Sequence, residues 1–188
     1  NDQNSKKSKQ QTNSWRLRFG RFDIWILTLF RISDFVLRFV KIDLIALKRP
    51  APMPFFKTPD GVKINYQVAG KGKPLVFLHG WAMCSRVWNY QVAHLAGGYQ
   101  VICPDLPGHG GSGCSPGGCD FASLTRDIAF FIEGLGLERM TLVGWSIGAS
   151  VALMLAAGHR LLVDALVLVD GTPSFMARDG FPHGLPPA

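Results

Sequence analysis

Four short, mostly apolar runs follow residue 70, at 74–78, 99–103, 140–143 and 165–169. Runs of this length are typical of strands that are buried on both faces of a sheet. Segments with helical spacing of apolar residues separate them. Because a strand returns parallel to the preceding one only through a long crossover, this alternation predicts a mostly parallel sheet with helices on both faces. The predicted class is α/β.

An opening β-hairpin and three helices complete the predicted order. The turn signal Thr58-Pro59-Asp60-Gly61 stands between 54–56 and the alternating run 62–68, which indicates the hairpin. The predicted helices are 88–95, a helix that Asp120 caps and that reaches 135, and 146–157. Three loops, at 79–86, 104–118 and 144–147, should meet at the carboxyl edge of the sheet, where such sheets bind ligands.

The positive charge of the chain is confined to its first quarter. The net charge is +7, with 11 Lys+Arg and 4 Asp+Glu in residues 1–52 against 9 and 9 in residues 53–188. The globular part is therefore neutral, and we expect no nucleic-acid partner for it. Four scattered cysteines without a CxxC pair indicate a reducing compartment, and we expect a cytoplasmic protein.

Residues 1–52 form a separate basic leader in this interpretation. Residues 1–14 are polar and should be disordered, whereas 15–49 alternate aromatic and basic residues. The interpretation that we prefer is upstream translation before a true start at Met53. The two alternatives are an amphipathic helix at 15–49 that contacts a membrane surface, and a genuine leader that binds a partner. The longest uncharged run, 24–30, has seven residues, whereas a membrane span needs about 20. We assign 53–172 to the core and 173–188 to the start of a lid.

The motif Gly144-Trp145-Ser146-Ile147-Gly148 matches GxSxG. The predicted strand runs directly into it and a helix rich in small residues leaves it, as a strand-turn-helix elbow requires. Glycines are needed there because the serine takes a strained backbone conformation. The alternative is a serine that only caps a helix in a tight turn.

Two other patterns in the 104–118 loop carry less weight. The sequence GHGGSG (108–113) fits GxGxxG, but more loop follows it rather than a helix, so a dinucleotide site is not expected. His109, Cys114 and Cys119 match no common zinc spacing and lack a fourth ligand, so no metal is expected.

Three motifs in sequence resemble those of the α/β-hydrolase superfamily: His79-Gly80-Trp81, DLPGHG (105–110) and GWSIG (144–148). Within it, HGWAMCSRVW (79–88) and SFMARD (174–179) are similar to the pimeloyl-[acyl-carrier protein] methyl ester carboxylesterases of biotin synthesis. The resemblance covers about residues 60–188. It implies an α/β-hydrolase fold with an opening hairpin, present up to about its sixth strand, and a serine carboxylesterase without metal or organic cofactor.

The resemblance also implies roles for individual residues. Ser146 would be the nucleophile that forms an acyl-enzyme, and the backbone N–H groups of Trp81 and Ile147 would form the oxyanion hole. Trp81 and Trp145 would bind the acyl chain, and the alternative for each is packing near the edge of the sheet. Structural roles at the site fall to His79, Gly80, Gly144 and Gly148. Turn chemistry explains Asp105 and His109 at least as well as catalysis does.

The resemblance places the triad acid and base on later strands, and we expect neither in this chain. The candidates after Ser146 are His159, His183, Asp164, Asp170 and Asp179. His159 should face the wrong end of the sheet, and Asp170 is a weak candidate acid at the end of the sixth strand. We therefore expect a fragment that is nearly inactive, with an uncovered sheet edge.

The substrate would be a small-molecule or acyl-carrier-protein-linked ester, and this rests on resemblance alone. The alternatives are another hydrolase of the same fold, namely a lactonase, a haloperoxidase-like enzyme or a C–C hydrolase, and a non-catalytic relative that only binds its ligand.

Overall fold

The computed structural model describes residues 13–19, 22–28, 53–116 and 118–171, the first two ranges as backbone. The strands are β1 (Asn13–Phe19), β2 (Phe22–Thr28), β3 (Phe55–Lys57), β4 (Lys63–Ala69), β5 (Lys73–Leu78), β6 (Tyr99–Pro104), β7 (Met140–Trp145) and β8 (Val163–Val169). The helices are a 3-10 helix (Ser85–Trp88), α1 (Asn89–Leu95), α2 (Phe121–Gly134) and α3 (Ile147–Gly158). The described strands join one sheet in the order β1-β2-β8-β7-β5-β6-β4-β3.

The centre of the sheet is parallel. Strand β5 lies between β6 and β7, so that Leu75 stands opposite Val101 on one side and Thr141 on the other. Strand β8 continues the parallel order beyond β7, whereas β4 runs antiparallel to β6 and β3 antiparallel to β4. The loops that follow β5, β6, β7 and β8 therefore emerge at one edge of the sheet.

Each face of the parallel sheet has its own hydrophobic core. Val76 and Leu78 join the larger core, which α2 and α3 cover with residues such as Phe131. Leu75 and Phe77, which alternate with Val76 and Leu78 along β5, pack on the opposite face. Because side chains alternate between the faces of a strand, an uninterrupted apolar run is what a sheet covered on both faces requires.

The observed elements confirm the predicted α/β fold. The opening hairpin pairs Phe56 with Ile64, and its two strands precede the predicted alternation of strand and helix. The N-cap of α2 is Asp120, whose side chain accepts a hydrogen bond of 2.7 Å from the Ser123 N–H. Strand β7 extends to Trp145, two residues further than predicted, so that the sheet runs directly into Ser146.

The N-terminal region differs from the prediction wherever the structure describes it. Residues 13–19 and 22–28 are antiparallel strands, where the sequence predicted a disordered segment or a surface helix. Trp15, Leu17 and Phe19 alternate with two arginines, which is the period of a strand, and this alternation was misinterpreted as an amphipathic helix.

The same hairpin changes the expected sheet edge. Strand β2 pairs in parallel with β8, with Trp25 opposite Val167, so β8 is not the uncovered edge that the sequence predicted. Within the described residues, the sheet therefore has two strands more than the six predicted ones. The predicted lid at 173–188 and the rest of the leader lie outside the described residues.

Candidate active site

Ser146 occupies a sharp turn between β7 and α3. Its backbone has φ +53° and ψ −117°, in the left-handed half of conformational space. Such a conformation costs a non-glycine residue about 1 to 3 kcal/mol and persists only where its surroundings enforce it. Here the Ser146 N–H donates to the Val169 carbonyl at 3.0 Å, and the Ser146 carbonyl accepts from the Ala149 N–H at 2.9 Å. The turn is therefore tied to β8 on one side and to the first turn of α3 on the other.

The two glycines of GxSxG allow this turn to form. A Cβ on Gly148 would lie 2.6 Å from the His79 carbonyl oxygen, and one on Gly144 would lie 2.6 Å from the Ala149 Cα. Real Cβ atoms do not approach backbone atoms so closely. The glycines thus let α3 pack directly against the end of β5 and against β7.

The loop after β5 lies beside the serine. A Cβ on Gly80 would lie 3.5 Å from the Ser146 Cβ and 3.3 Å from Trp145 Cε3. Trp81 follows, and this residue is 64% exposed. The first amides of a helix have no partner within the helix, and Ile147 provides the first amide of α3. Gly80, Trp81, Ser146 and Ile147 are thus brought to one place.

Backbone strain concentrates at this edge of the sheet. Four non-glycine residues in the described ranges have positive φ: Ala82, Arg139, Ser146 and Asp170. Three of them lie in the loops after β5, β7 and β8, while Arg139 precedes β7 at the opposite end. Strained residues cluster where a surrounding structure positions groups for function, and this distribution points to the carboxyl edge as the site.

His79 is fully buried behind the serine, and both its ring nitrogens are engaged. Nδ1 donates to the Gly80 carbonyl at 2.8 Å, and Nε2 accepts from the Leu106 N–H at 2.9 Å. Burial lowers the pKa of His79 to about 4, with a smaller contribution from nearby His109. The neutral ring therefore links the loops after β5 and β6, and neither nitrogen is available for proton transfer to a substrate.

Asp105 joins the same two loops with a buried carboxylate. Oδ1 accepts from the Ser85 N–H at 2.7 Å, and Oδ2 accepts from the Gly111 N–H at 2.8 Å. Gly110 lies so close that an added Cβ would be 2.9 Å from Oδ1. The carboxylate is thus engaged in holding loops, which agrees with the turn chemistry inferred from the sequence.

His109 supports the exposed Trp81. Its ring is edge-on to Trp81 with centroids 5.2 Å apart, and edge-on to His79 at 5.4 Å. His109 Nδ1 lies 3.0 Å from the Pro107 carbonyl oxygen, to which it can donate. The sequence placed His109 in a turn but did not reveal the contact with Trp81, because the two residues come from different loops.

Trp145 lies on the face of the sheet that carries the smaller core. Its ring packs edge-on against Trp88 with centroids 6.5 Å apart, and Trp88 in turn contacts Phe77 at 5.1 Å. Trp145 is partly buried against the smaller core. The structure therefore places this residue in packing, and its predicted contact with an acyl chain stays a prediction.

The candidate acid Asp170 and the candidate base His159 lie at opposite ends of the structure's α/β elements, after β8 and after α3. Asp170 is exposed directly after β8, and its neighbour Val169 accepts the hydrogen bond from Ser146. His159 directly follows α3, about 20 Å from Ser146 along the helix axis, and its Nδ1 lies 3.5 Å from Glu133 Oε1.

Asp164 is paired at the start of β8, on the opposite edge from the serine. Its carboxylate lies 3.1 Å from Lys73 and 3.2 Å from Arg139. These ion pairs give Asp164 a structural role. His183 and Asp179 lie outside the described residues.

The fold and the elbow agree with the comparison to known families. Residues 73–186 match the family model described as the alpha/beta hydrolase fold. The chain belongs to this family. A pimeloyl-[acyl-carrier protein] methyl ester esterase from Nitrosomonas europaea is 40% identical over 123 residues, which cover 65% of this chain and 46% of that protein. A soluble epoxide hydrolase from Corynebacterium sp. is 36% identical over 124 residues, 65% and 43% of the two chains.

A solved structure shows the same fold. An esterase from Exiguobacterium antarcticum matches with a TM-score of 0.66 and 35% identity, covering 71% of this chain and 51% of that one. The chain spans about half the length of the curated relatives it matches. These similarities identify an alpha/beta hydrolase with esterases among its relatives.

Three further observations concern the glycine-rich loop, grouped metal-binding side chains and the helices of the described residues. The GHGGSG segment folds back on itself, because the Gly108 N–H donates to the Gly113 carbonyl at 2.8 Å, and α2 begins only at Phe121. No three His, Cys, Asp or Glu residues among those described are grouped to hold a metal ion. Of the helices described, none has the length and apolar character to cross a membrane.

Proposed function

We propose that this hydrolase is a serine carboxylesterase with Ser146 as its nucleophile. The observation that carries the proposal is the strained turn that presents Ser146 between β7 and the first amide of α3. In the proposed reaction, Ser146 Oγ loses its proton to a general base and attacks the ester carbonyl carbon. The alcohol leaves with a proton, and water then hydrolyses the acyl-enzyme to the acid.

The oxyanion in this reaction would be stabilised by backbone amides. The Ile147 N–H points out of the N-terminus of α3, where the helix dipole favours negative charge. The Trp81 N–H is the second donor that we assign, because Gly80 brings its loop beside Ser146. Each such donor is typically worth about 10² to 10³ in rate.

The general base of the proposed reaction lies outside the described residues. Among the described histidines near the carboxyl edge, His79 has both nitrogens engaged and His109 packs on Trp81. His159 is at the far end of α3. This distribution supports the expectation, drawn from the resemblance, that the base and the acid follow later in the protein.

For the substrate we propose an acyl ester, with the methyl ester of a pimeloyl group on acyl-carrier protein as the specific candidate. Trp81 and Met83 expose apolar surface on the loop beside Ser146, which suits an acyl chain. A relative named for this substrate supports the candidate. A cytoplasmic location belongs to the same proposal.

A substrate panel tests this function on the protein in the form its gene encodes. The panel contains a short-chain aryl ester, a pimeloyl-[acyl-carrier protein] methyl ester, a lactone and an epoxide. We expect both esters to be hydrolysed, and the Ser146→Ala variant to lose about 10⁴-fold or more in kcat. Ser150→Ala is the matched control, because Ser150 lies one turn further along α3, and it should keep its activity.

The panel also separates the alternatives. Faster turnover of the epoxide or the lactone than of either ester would overturn the esterase assignment in favour of another hydrolase. Undiminished ester hydrolysis by Ser146→Ala would overturn the role of Ser146. Hydrolysis of the aryl ester without the carrier-protein substrate would remove the specific candidate and leave the ester class.

A further inference from the structure

Two thiols face each other in the loop that precedes α2. The Sγ atoms of Cys114 and Cys119 are 2.6 Å apart, and both residues are free cysteines. A disulfide has an S–S distance of about 2.05 Å, so the sulfur atoms need to move by only about half an ångström to bond. We propose that Cys114 and Cys119 are a reversible modification site, which low-molecular-weight disulfides such as glutathione disulfide oxidise to an intramolecular disulfide.

Anchors on both sides hold the two thiols in place. On the Cys114 side, the Gly108 N–H donates to the Gly113 carbonyl at 2.8 Å, and the Gly113 N–H donates to the Lys63 carbonyl at 2.7 Å. On the Cys119 side, the next residue is Asp120, the N-cap of α2. Because each cysteine adjoins a fixed point, their approach follows from the fold of the loop.

A further contact holds Ser115, the residue that follows Cys114. Arg126 of α2 donates a hydrogen bond of 2.9 Å to the Ser115 Oγ. Ser115 is buried, and its carbonyl accepts from the Gly118 N–H at 3.0 Å. The chain therefore turns back toward α2 directly after Cys114.

The two sulfurs differ in exposure, and this orders the reaction. Cys114 is exposed, whereas Cys119 is partly buried. The hydrogen bond with Cys114, together with burial, raises the pKa of Cys119 to about 11. Cys119 therefore stays a thiol while Cys114 is reduced, and the exposed Cys114 is the sulfur that meets an external disulfide.

The exchange balances in two steps. The Cys114 thiolate attacks one sulfur of glutathione disulfide, which gives a mixed disulfide and releases one glutathione thiolate. Cys119 no longer shares a proton with a Cys114 thiol in this species, and its proton passes to the released glutathione thiolate. The Cys119 thiolate then attacks Cys114 Sγ, which forms the protein disulfide and releases the second glutathione. The proton that Cys114 gave to the solvent is taken up by the second glutathione thiolate when it leaves. Two protein thiols are oxidised and one glutathione disulfide is reduced.

The modified loop adjoins the candidate active site. A Cβ on Gly108 would lie 2.7 Å from Cys119 Sγ, so this sulfur packs directly on the DLPGHG segment. The following residue, His109, contacts Trp81. Oxidation would thus act on the loop that supports Trp81. The proposal does not depend on the esterase assignment.

Peptide mapping of the whole protein tests the proposal. The protein is equilibrated in buffers of graded reduced and oxidised glutathione, its free thiols are alkylated, and it is cleaved before aspartate residues. The resulting 105–119 peptide contains Cys114 and Cys119 and no other cysteine. We expect this peptide to lose two hydrogens as the buffer becomes oxidising, and this form to exceed its glutathione adducts by about tenfold or more, because the second step is intramolecular.

The variants sharpen the outcome. Cys119→Ser should stop at a glutathione adduct on Cys114, while Cys84→Ser, which changes a cysteine of another loop, should leave the 105–119 peptide unchanged. Alkylation of both thiols throughout the series, or stable glutathione adducts on both, would overturn the proposal. The decisive measurement is made on the unmodified sequence, so a folding defect in a variant does not affect it.

Discussion

The loops that follow β7 and β6 at the candidate active site are held in different ways. The elbow at 144–148 has no room for a side chain at either of its glycines, and its backbone packs against β5 and α3. The loop after β6 is held by side chains, through the carboxylate of Asp105 and the ring of His79. An atom added between two packed backbones forces them apart, whereas the loss of one hydrogen bond leaves the other hydrogen bonds of the loop in place. We therefore expect one added methyl group in the elbow to cause a large loss in the free energy of unfolding. Changes in the loop after β6 should cause smaller losses, and the contribution of His79 should depend on pH.

The largest effect should come from filling the elbow. Gly148→Ala places a Cβ against the backbone of His79, and overpacking of this kind should lower the free energy of unfolding by about 3 kcal/mol. Gly158→Ala is the matched control, because a Cβ there meets nothing within 4 Å. Urea unfolding measures both. An equal change in the free energy of unfolding of the two variants would show that the elbow is not held by steric contacts at Gly148.

The pH dependence of stability should report on His79. Its pKa is about 4 in the folded protein against 6.5 for an ordinary histidine, so the unfolded chain binds more protons between these values. The contribution of the neutral ring to the free energy of unfolding is complete above about pH 6.5. It decreases as the pH falls and is lost near pH 4, and the total loss is about 3 kcal/mol.

The comparison with His79→Gln isolates this contribution from that of the carboxylates. The difference in the free energy of unfolding between the unmodified protein and the variant should shrink by that amount from pH 6.5 to 4. A constant difference across this range would contradict the account of a buried neutral imidazole.

A smaller effect should follow from neutralising Asp105. Asp105→Asn replaces one acceptor oxygen with a donor, and leaves either the buried N–H of Ser85 or the N–H of Gly111 without its partner. We expect a loss of about 2 kcal/mol in the free energy of unfolding. Asp164→Asn makes the same change at a surface ion pair and should lose about 0 to 1 kcal/mol. A larger loss in Asp164→Asn than in Asp105→Asn would contradict the claim that the Asp105 carboxylate holds the loop after β6.

The smallest effect should be that of Trp81→Phe on a short ester. If the backbone N–H of this residue is the donor to the oxyanion, kcat should change by less than about threefold. A longer acyl chain should show a higher KM, because the exposed ring offers apolar surface to it. A tenfold fall in kcat for the short ester would show that the indole itself takes part in the reaction.

The sequence was sufficient for the fold of residues 55–169 and for the elbow, because both follow from local patterns. The buried apolar runs, the Asp120 cap and GWSIG each specify a structure within a few residues. The contacts of Asp105 with Ser85 and of His109 with Trp81 join different loops, and no local pattern reveals such contacts.

The strands at 13–28 were missed for another reason. Their alternation of apolar and basic residues was present in the sequence. Basic and aromatic composition is also compatible with upstream translation or a surface helix, and only the pairing of β2 with β8 decides for strands.

The most direct test of the central claim is to find the serine that reacts. The protein in the form its gene encodes is treated with a fluorophosphonate, which bonds covalently to activated serines, and the tryptic peptide 140–160 is fragmented in a mass spectrometer. This peptide contains both Ser146 and Ser150. We expect an adduct on Ser146 that is absent from Ser146→Ala and present in Ser150→Ala. An adduct on another serine, or one that persists in Ser146→Ala, would contradict this expectation.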